Sequence, residues 1–211
     1  MTYEDFERAL MVLNVIEIQE KINAHMWEFQ EENDILPFYA AERLAMGEVD
    51  EWPDAEGEFG RCETNPILVN RTLGELTYLS RLVREDSGQR MIFHRLGSLE
   101  LGIDLFELVS EDGEFYDLLY VDMYHHHCSQ KAPKGYQLLE FVNGITGTSE
   151  FDENFPRRIM ITLTDVAENK FGAPIVSPAV KNFDKVQAAK TIAENRRKNN
   201  PEEKVVARST F

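Results

Sequence analysis

At 211 residues and 24.4 kDa, with 43% hydrophobic and 10% aromatic side chains, the chain can bury a sizeable core and reads as a single domain over 1–211. Its 22 Lys and Arg stand against 38 Asp and Glu, a formal charge of −16. That excess disfavours direct nucleic-acid binding and attachment to an anionic membrane, both of which need positive contact surfaces. The longest clean apolar run, residues 9–13, is stopped by Asn14 and falls far short of a membrane span. The start of the chain carries Glu4, Asp5 and Glu7 rather than a basic secretory n-region, and two cysteines make no disulfide framework, so a cytoplasmic location is expected.

The acidity is concentrated. Residues 1–60 hold 16 acidic and 3 basic side chains, whereas residues 181–211 hold 4 and 8. Thr2 and Asp5 have capping-box spacing, and a long helix is predicted over 3–30. Its seam is Met11, Val15, Ile18, Ile22, His25 and Phe29, stepping 4-3-4-3-4, which stacks these side chains on one helix face. That seam also offers a homodimer contact, with His25 buried at the contact. Pro37 suits the first turn of a second helix over 36–46, closed by Gly47, giving a helical hairpin over 1–47. Residues 48–60 follow as an acidic loop with neither helical nor strand period, the best boundary before an α+β core over 61–211.

Thr72-Leu73-Gly74-Glu75 has the spacing of a capping box, and Leu76, Leu79 and Val83 share a face, predicting a helix over 73–84. Strands are predicted over 91–96, 103–109, 115–124 and 159–163. Asp112-Gly113 between two apolar runs is a hairpin signal. Centred there, the register sets Val109 against Tyr116, Leu105 against Tyr120, Ile103 against Asp122, Phe106 against Leu119 and Asp104 against Val121. Both faces of that hairpin are mostly apolar, so both should be covered. A helix over 184–197 starts on an acid, ends on Arg196, Arg197 and Lys198, and is stopped by Asn199-Asn200-Pro201; residues 204–208 read as an edge strand or as unstructured. The fold class expected is α+β: a central, mostly antiparallel sheet with the N-terminal helical hairpin and further helices packed on it.

The densest chemistry lies in Asp122-Met123-Tyr124-His125-His126-His127-Cys128. Were the strand to continue, His125 and His127 would point the same way and form a two-ligand platform for zinc or a related ion. His94 and Cys62 are the available further ligands. In that reading the protein is a metal-dependent hydrolase, with Asp122 or Glu107 as general base and Lys131, Lys134 and Arg95 receiving an anionic substrate. Cys128 and Cys62 each lack a histidine placed for a nucleophilic dyad, and spacing alone does not decide whether they pair with each other. The glycine segment 143–149 lacks the Gly-Lys-Ser/Thr ending of a phosphate loop. No zincin, dinucleotide-fold, kinase or nucleophile-elbow motif occurs. The competing reading, which the charge distribution favours, is a non-enzymatic binding or inhibitor-type module engaging a basic protein surface through residues 1–60.

Overall fold

The computed structural model describes residues 36–140 and 183–206, together with residues 148–149 and the isolated positions Ala24, Trp27, Glu28 and Gln30. The seam residues of the predicted first helix, His25 among them, the strand at 159–163 and nearly all of the glycine segment lie outside the described residues. Within them the chain is a mixed α+β fold. In chain order its elements are α1 (Ala40–Leu44), β1 (Ile67–Leu68), α2 (Arg71–Arg81), β2 (Leu82–Arg84), β3 (Met91–Ser98), β4 (Ile103–Ser110), β5 (Tyr116–Asp122), β6 (Tyr136–Leu138), β7 (Thr148–Ser149) and α3 (Lys185–Asn199). Among the described residues no helix is long and apolar enough to cross a membrane.

Five strands form one sheet in the order β1-β5-β4-β3-β7, and β2 pairs with β6 in a second, antiparallel ribbon. The two central pairings, β3 with β4 and β4 with β5, are antiparallel, while the outer strands β1 and β7 join in parallel. The sheet is therefore mixed at its edges. The hairpin register is the one expected from Asp112-Gly113, with Val109 opposite Tyr116 and Ile103 opposite Asp122. The loop itself is wider than two residues. Gly113 N–H donates to the Ser110 carbonyl at 2.8 Å, and Asp112 Oδ1 accepts from the Ser110 hydroxyl and the Glu114 N–H. Gly113 has φ +75°, and an added Cβ there would overlap the backbone of Ala188, so no other residue fits where this loop meets α3.

The strand β4 is buried along its whole length, because both faces of the sheet are covered as the apolar alternation implied. On one face, Met91, Phe93, Phe106, Leu108, Leu119 and Val121 pack with Tyr78 and Leu79 of α2 and with Phe59 and Tyr136. On the other, Ile92 and Val109 meet Ala188 and Ile192 of α3, while Ile103, Leu105 and Tyr120 pack with Trp52, Leu99 and Val205.

Several boundaries differ from expectation. The second helix is only the five residues of α1, preceded by a turn in which Ala40 N–H donates to the Pro37 carbonyl, so of the helical hairpin only this short piece is described. The Thr72 capping box does not form. Helix α2 starts at Arg71, placing Thr72 inside it, and the orphan N–H of Leu73 is taken at 2.7 Å by the side-chain oxygen of Gln30, more than forty residues away. The same helix stops at Arg81 because Leu82 turns extended (φ −72°, ψ 128°) to pair with Leu138. Residues 204–206 form no strand, although Val206 N–H reaches the Ser98 carbonyl at 2.9 Å.

Helix α3 follows its sequence signals closely. Asp184 accepts from the N–H groups of Val186 and Gln187, Arg196, Arg197 and Lys198 occupy the last turn, and Asn200 closes it in the left-handed conformation before Pro201. Asp184→Ala is expected to lower stability by about 1 kcal/mol, or about 2–4 °C in Tm for a chain of this size, and Asp184→Asn to restore most of it. Equal melting of the Ala and Asn variants would show that this cap is not what anchors the helix start.

Candidate functional site

The histidine-rich segment leaves the sheet at Asp122, where β5 ends. Beyond it the chain runs alongside residues 68–70. Tyr124 bridges Asn70, His125 N–H donates to the Val69 carbonyl at 3.2 Å, and Ser129 N–H donates to the Leu68 carbonyl at 2.8 Å. The regular alternation that would have aligned His125 with His127 is thereby lost. His125 is fully buried, and His126 is exposed. His127 is half-buried on the loop.

Asp122, also fully buried, organises the interior end of this segment. Its Oδ1 accepts from Arg43 Nη1 at 2.8 Å and from the Tyr124 N–H at 3.1 Å, and its Oδ2 lies 2.9 Å from His125 Nε2. An ionised carboxylate only accepts, so His125 Nε2 carries the proton and donates to it. The Trp52 indole N–H, 3.4 Å from the same nitrogen, is then an edge contact rather than a second hydrogen bond. Arg43 is enclosed by three rings, Tyr39, Trp52 and Tyr124, at 5.4, 5.6 and 5.8 Å from their centroids. A guanidinium in an aromatic box with a carboxylate at its base is a strong anchor for α1.

The outer end of the segment holds the acidic loop. Asp50 Oδ1 takes His127 Nε2 at 2.9 Å and the Gln130 N–H at 2.7 Å, and the Ser129 hydroxyl donates to the Asp50 carbonyl. Glu51 receives Lys131 and the Asn65 amide. The Gln130 N–H, followed by His127 and Lys131, holds the Asp50 carboxyl below the usual carboxylate range; Lys131 and Asn65 do the same for Glu51. Farther along, Cys62 and Thr64 both donate to the Glu56 carbonyl, and the Asn65 amide reaches the Gly57 carbonyl at 3.0 Å. A segment without any sequence period is thus folded on a dense set of hydrogen bonds.

No family model, curated protein or solved structure matches this chain.

The functional reading therefore rests on the site itself. The expected metal ligands are not brought together: His125 is committed to Asp122, His127 to Asp50, Cys62 to loop carbonyls, and His94 lies within β3 opposite Glu107. Among the described residues no group of three His, Cys, Asp or Glu side chains is arranged to hold a metal ion. Cys62 and Cys128 are both free thiols. Burial raises the Cys128 thiol, opposite to what an activated nucleophile needs.

The three expected anion-binding cations also separate. Lys131 pairs with Glu51 over the Phe59 ring, and Arg95 is held by both oxygens of Asp104 and by Ser98. Lys134 has no carboxylate partner among the described residues. The two suggested general bases are likewise occupied, Asp122 as above and Glu107 by Arg196 and Tyr116.

What remains open to solvent is the outer surface of the acidic loop. Glu48, Asp54, Glu56 and Glu58 are exposed, and none of their carboxylates forms an ion pair among the described residues. The Arg43 anchor and the docking of Asp50 were not legible in the sequence. The one available signal was that Arg43 is a rare cation inside the acidic quarter, close to Tyr39 and Trp52.

Proposed function

We propose that this chain is a non-enzymatic binding module that engages a basic protein surface through its acidic N-terminal quarter, with the 48–60 loop as its described acidic surface. The observation that supports it is the division of labour among the loop acids. Asp50 and Glu51 are consumed in docking the loop, while Glu48, Asp54, Glu56 and Glu58 are exposed with no cation paired to them among the described residues. A loop already ordered before binding loses little conformational freedom on association. Four like charges on one such loop also raise the encounter rate with a basic partner. Mimicry of the charge of a nucleic acid is one special case of this role.

The test is quantitative capture with the full chain immobilised. A partner of this kind is retained at low ionic strength and released as the Debye length falls toward about 8 Å at physiological salt. The variant Glu48→Gln, Asp54→Asn, Glu56→Gln, Glu58→Gln keeps Asp50 and Glu51 and so keeps the fold by circular dichroism. It is expected to bind the same partner about tenfold more weakly, mainly through a slower association rate. Salt-insensitive binding, or equal affinity of the neutralised loop, sinks the proposal.

A further inference from the structure

Five large apolar side chains stand exposed among the described residues, and three of them, Phe38, Leu101 and Val206, gather around the turn between β3 and β4. Gly102 in that turn has no room for a Cβ against the Tyr39 hydroxyl, and the Tyr39 ring meets Phe38 edge to face at 5.5 Å. From the C-terminal segment, the Val206 N–H donates to the carbonyl of Ser98 at the end of β3. Phe38 is 91% exposed, Leu101 62% and Val206 66%. Leu101 is also held at φ +62°, ψ 17°, a left-handed conformation that suits glycine or asparagine. A leucine there bears two costs, a disfavoured backbone and an apolar side chain left in water. Outliers of this kind collect at working surfaces.

The patch borders the acidic loop, because Tyr39 and the loop's Trp52 line the same Arg43 box and Trp52 packs with Leu99. Its edge is acidic as well. Glu42 follows Phe38 by four residues, Glu100 precedes Leu101, and Glu203 precedes Val206 by three. All three are exposed and form no ion pair among the described residues. Of the cations there, Arg43 and Arg95 are paired with the buried Asp122 and Asp104, and Lys204 donates to the Tyr120 hydroxyl at 3.1 Å. We infer that this patch receives a cationic amphipathic segment of the basic partner, its apolar side chains on Phe38, Leu101 and Val206 and its lysines or arginines on the flanking acids. An apolar centre gives an interface its affinity, and a charged rim gives it steering. The same acids repel an anionic membrane, the other surface that exposed leucine and phenylalanine would suit. This inference rests on the acidic-loop reading for its charge and adds the apolar anchor that charge alone lacks.

The probe is a helical peptide of leucine and lysine with its leucines on one face, compared with oligolysine of equal length by calorimetric titration into the full chain. Phe38→Ser combined with Leu101→Asn is expected to bind the leucine–lysine peptide about tenfold more weakly than the unsubstituted chain does, and oligolysine equally well. Asparagine keeps the left-handed turn and both positions are exposed, so the thermal midpoint should move by no more than about 2 °C. Undiminished binding of the leucine–lysine peptide overturns the inference, and so does an equal loss for both peptides. A concentration-dependent dimer that the double variant abolishes also overturns it, by giving the patch to a second copy of this chain. Neutralising Glu48, Asp54, Glu56 and Glu58 should instead weaken both peptides. If oligolysine binding survives that change, it is the acidic-loop reading that fails, whatever the double variant shows.

Discussion

Arg43→Ala is expected to destabilise the protein by about 3–5 kcal/mol, the range for removing one partner of a buried ion pair, which corresponds to about 6–20 °C in Tm at this chain length. The size follows from what is left behind. Asp122 is fully buried, and without Arg43 its charge is supported among the described residues by the Tyr124 N–H and His125 alone. Removing Arg43 also empties the box of Tyr39, Trp52 and Tyr124, so packing is lost along with charge. The paired replacement Arg43→Met with Asp122→Leu removes both charges together and is expected to recover part of the loss. A double-mutant cycle in urea should return a coupling of about 1–3 kcal/mol. Recovery stays partial because the His125 and Tyr124 donors then lack their acceptor. A loss under about 1 kcal/mol for Arg43→Ala would mean that water reaches Asp122 and that α1 is not anchored by this pair.

The second large effect is at the junction of the sheet with α3. Glu107 is fully buried in the middle of β4 and accepts from Arg196 Nε at 3.1 Å, from Arg196 Nη2, and from the Tyr116 hydroxyl at 3.2 Å. Burial, and after it the Glu107 carboxylate, holds the Tyr116 hydroxyl above its ordinary range, so it remains a donor. The two partners of this ion pair are not equivalent. The Arg196 side chain is 28% exposed and can turn to water, whereas Glu107 cannot.

Arg196→Ala is therefore expected to cost about 3–5 kcal/mol by stranding the carboxylate. Glu107→Gln, which removes the buried charge and frees Arg196, should cost only about 1–2 kcal/mol. Urea unfolding measures the order, and amide exchange locates it: the protection lost in Arg196→Ala should concentrate in α3 and at its contacts on Ile92 and Val109. If Glu107→Gln proves the more damaging of the two, the carboxylate is not sealed from water as its burial implies.

How much of this was legible beforehand depends on the range of each interaction. The β4–β5 register could be read from the alternation of apolar residues and the Asp112-Gly113 pair, because strands joined by a short loop have few ways to align. The start of α3 at Asp184 and its stop before Pro201 were equally legible, since capping is a matter of a few residues. The capping box at Thr72 misled because the correct spacing carries no knowledge of competitors. Gln30 supplies the acceptor there, and the helix begins one residue before Thr72. The His125 and His127 platform misled for a related reason. It assumed a strand that the pairing of residues 123–129 with 68–70 bends away.

By itself, then, the sequence determined the alternation that buries β4 on both faces, the hairpin register, the polarity and limits of α3, and the concentration of negative charge ahead of residue 61. Each is a property of neighbours, set by side-chain period, backbone preference or simple counting. Which charges remain available was decided only by the tertiary structure. Arg43 meets Asp122 across 79 residues, Arg196 meets Glu107 across 89, and Asp50 meets the Gln130 N–H across 80. Contacts so distant along the chain leave no period to read, because any of the 38 acids might have met any cation until the sheet and its covering segments closed around particular ones. Once closed, desolvation makes the Arg43–Asp122 and Arg196–Glu107 pairs costly to break, while Glu48, Asp54, Glu56 and Glu58 stay exposed with no ion pair among the described residues.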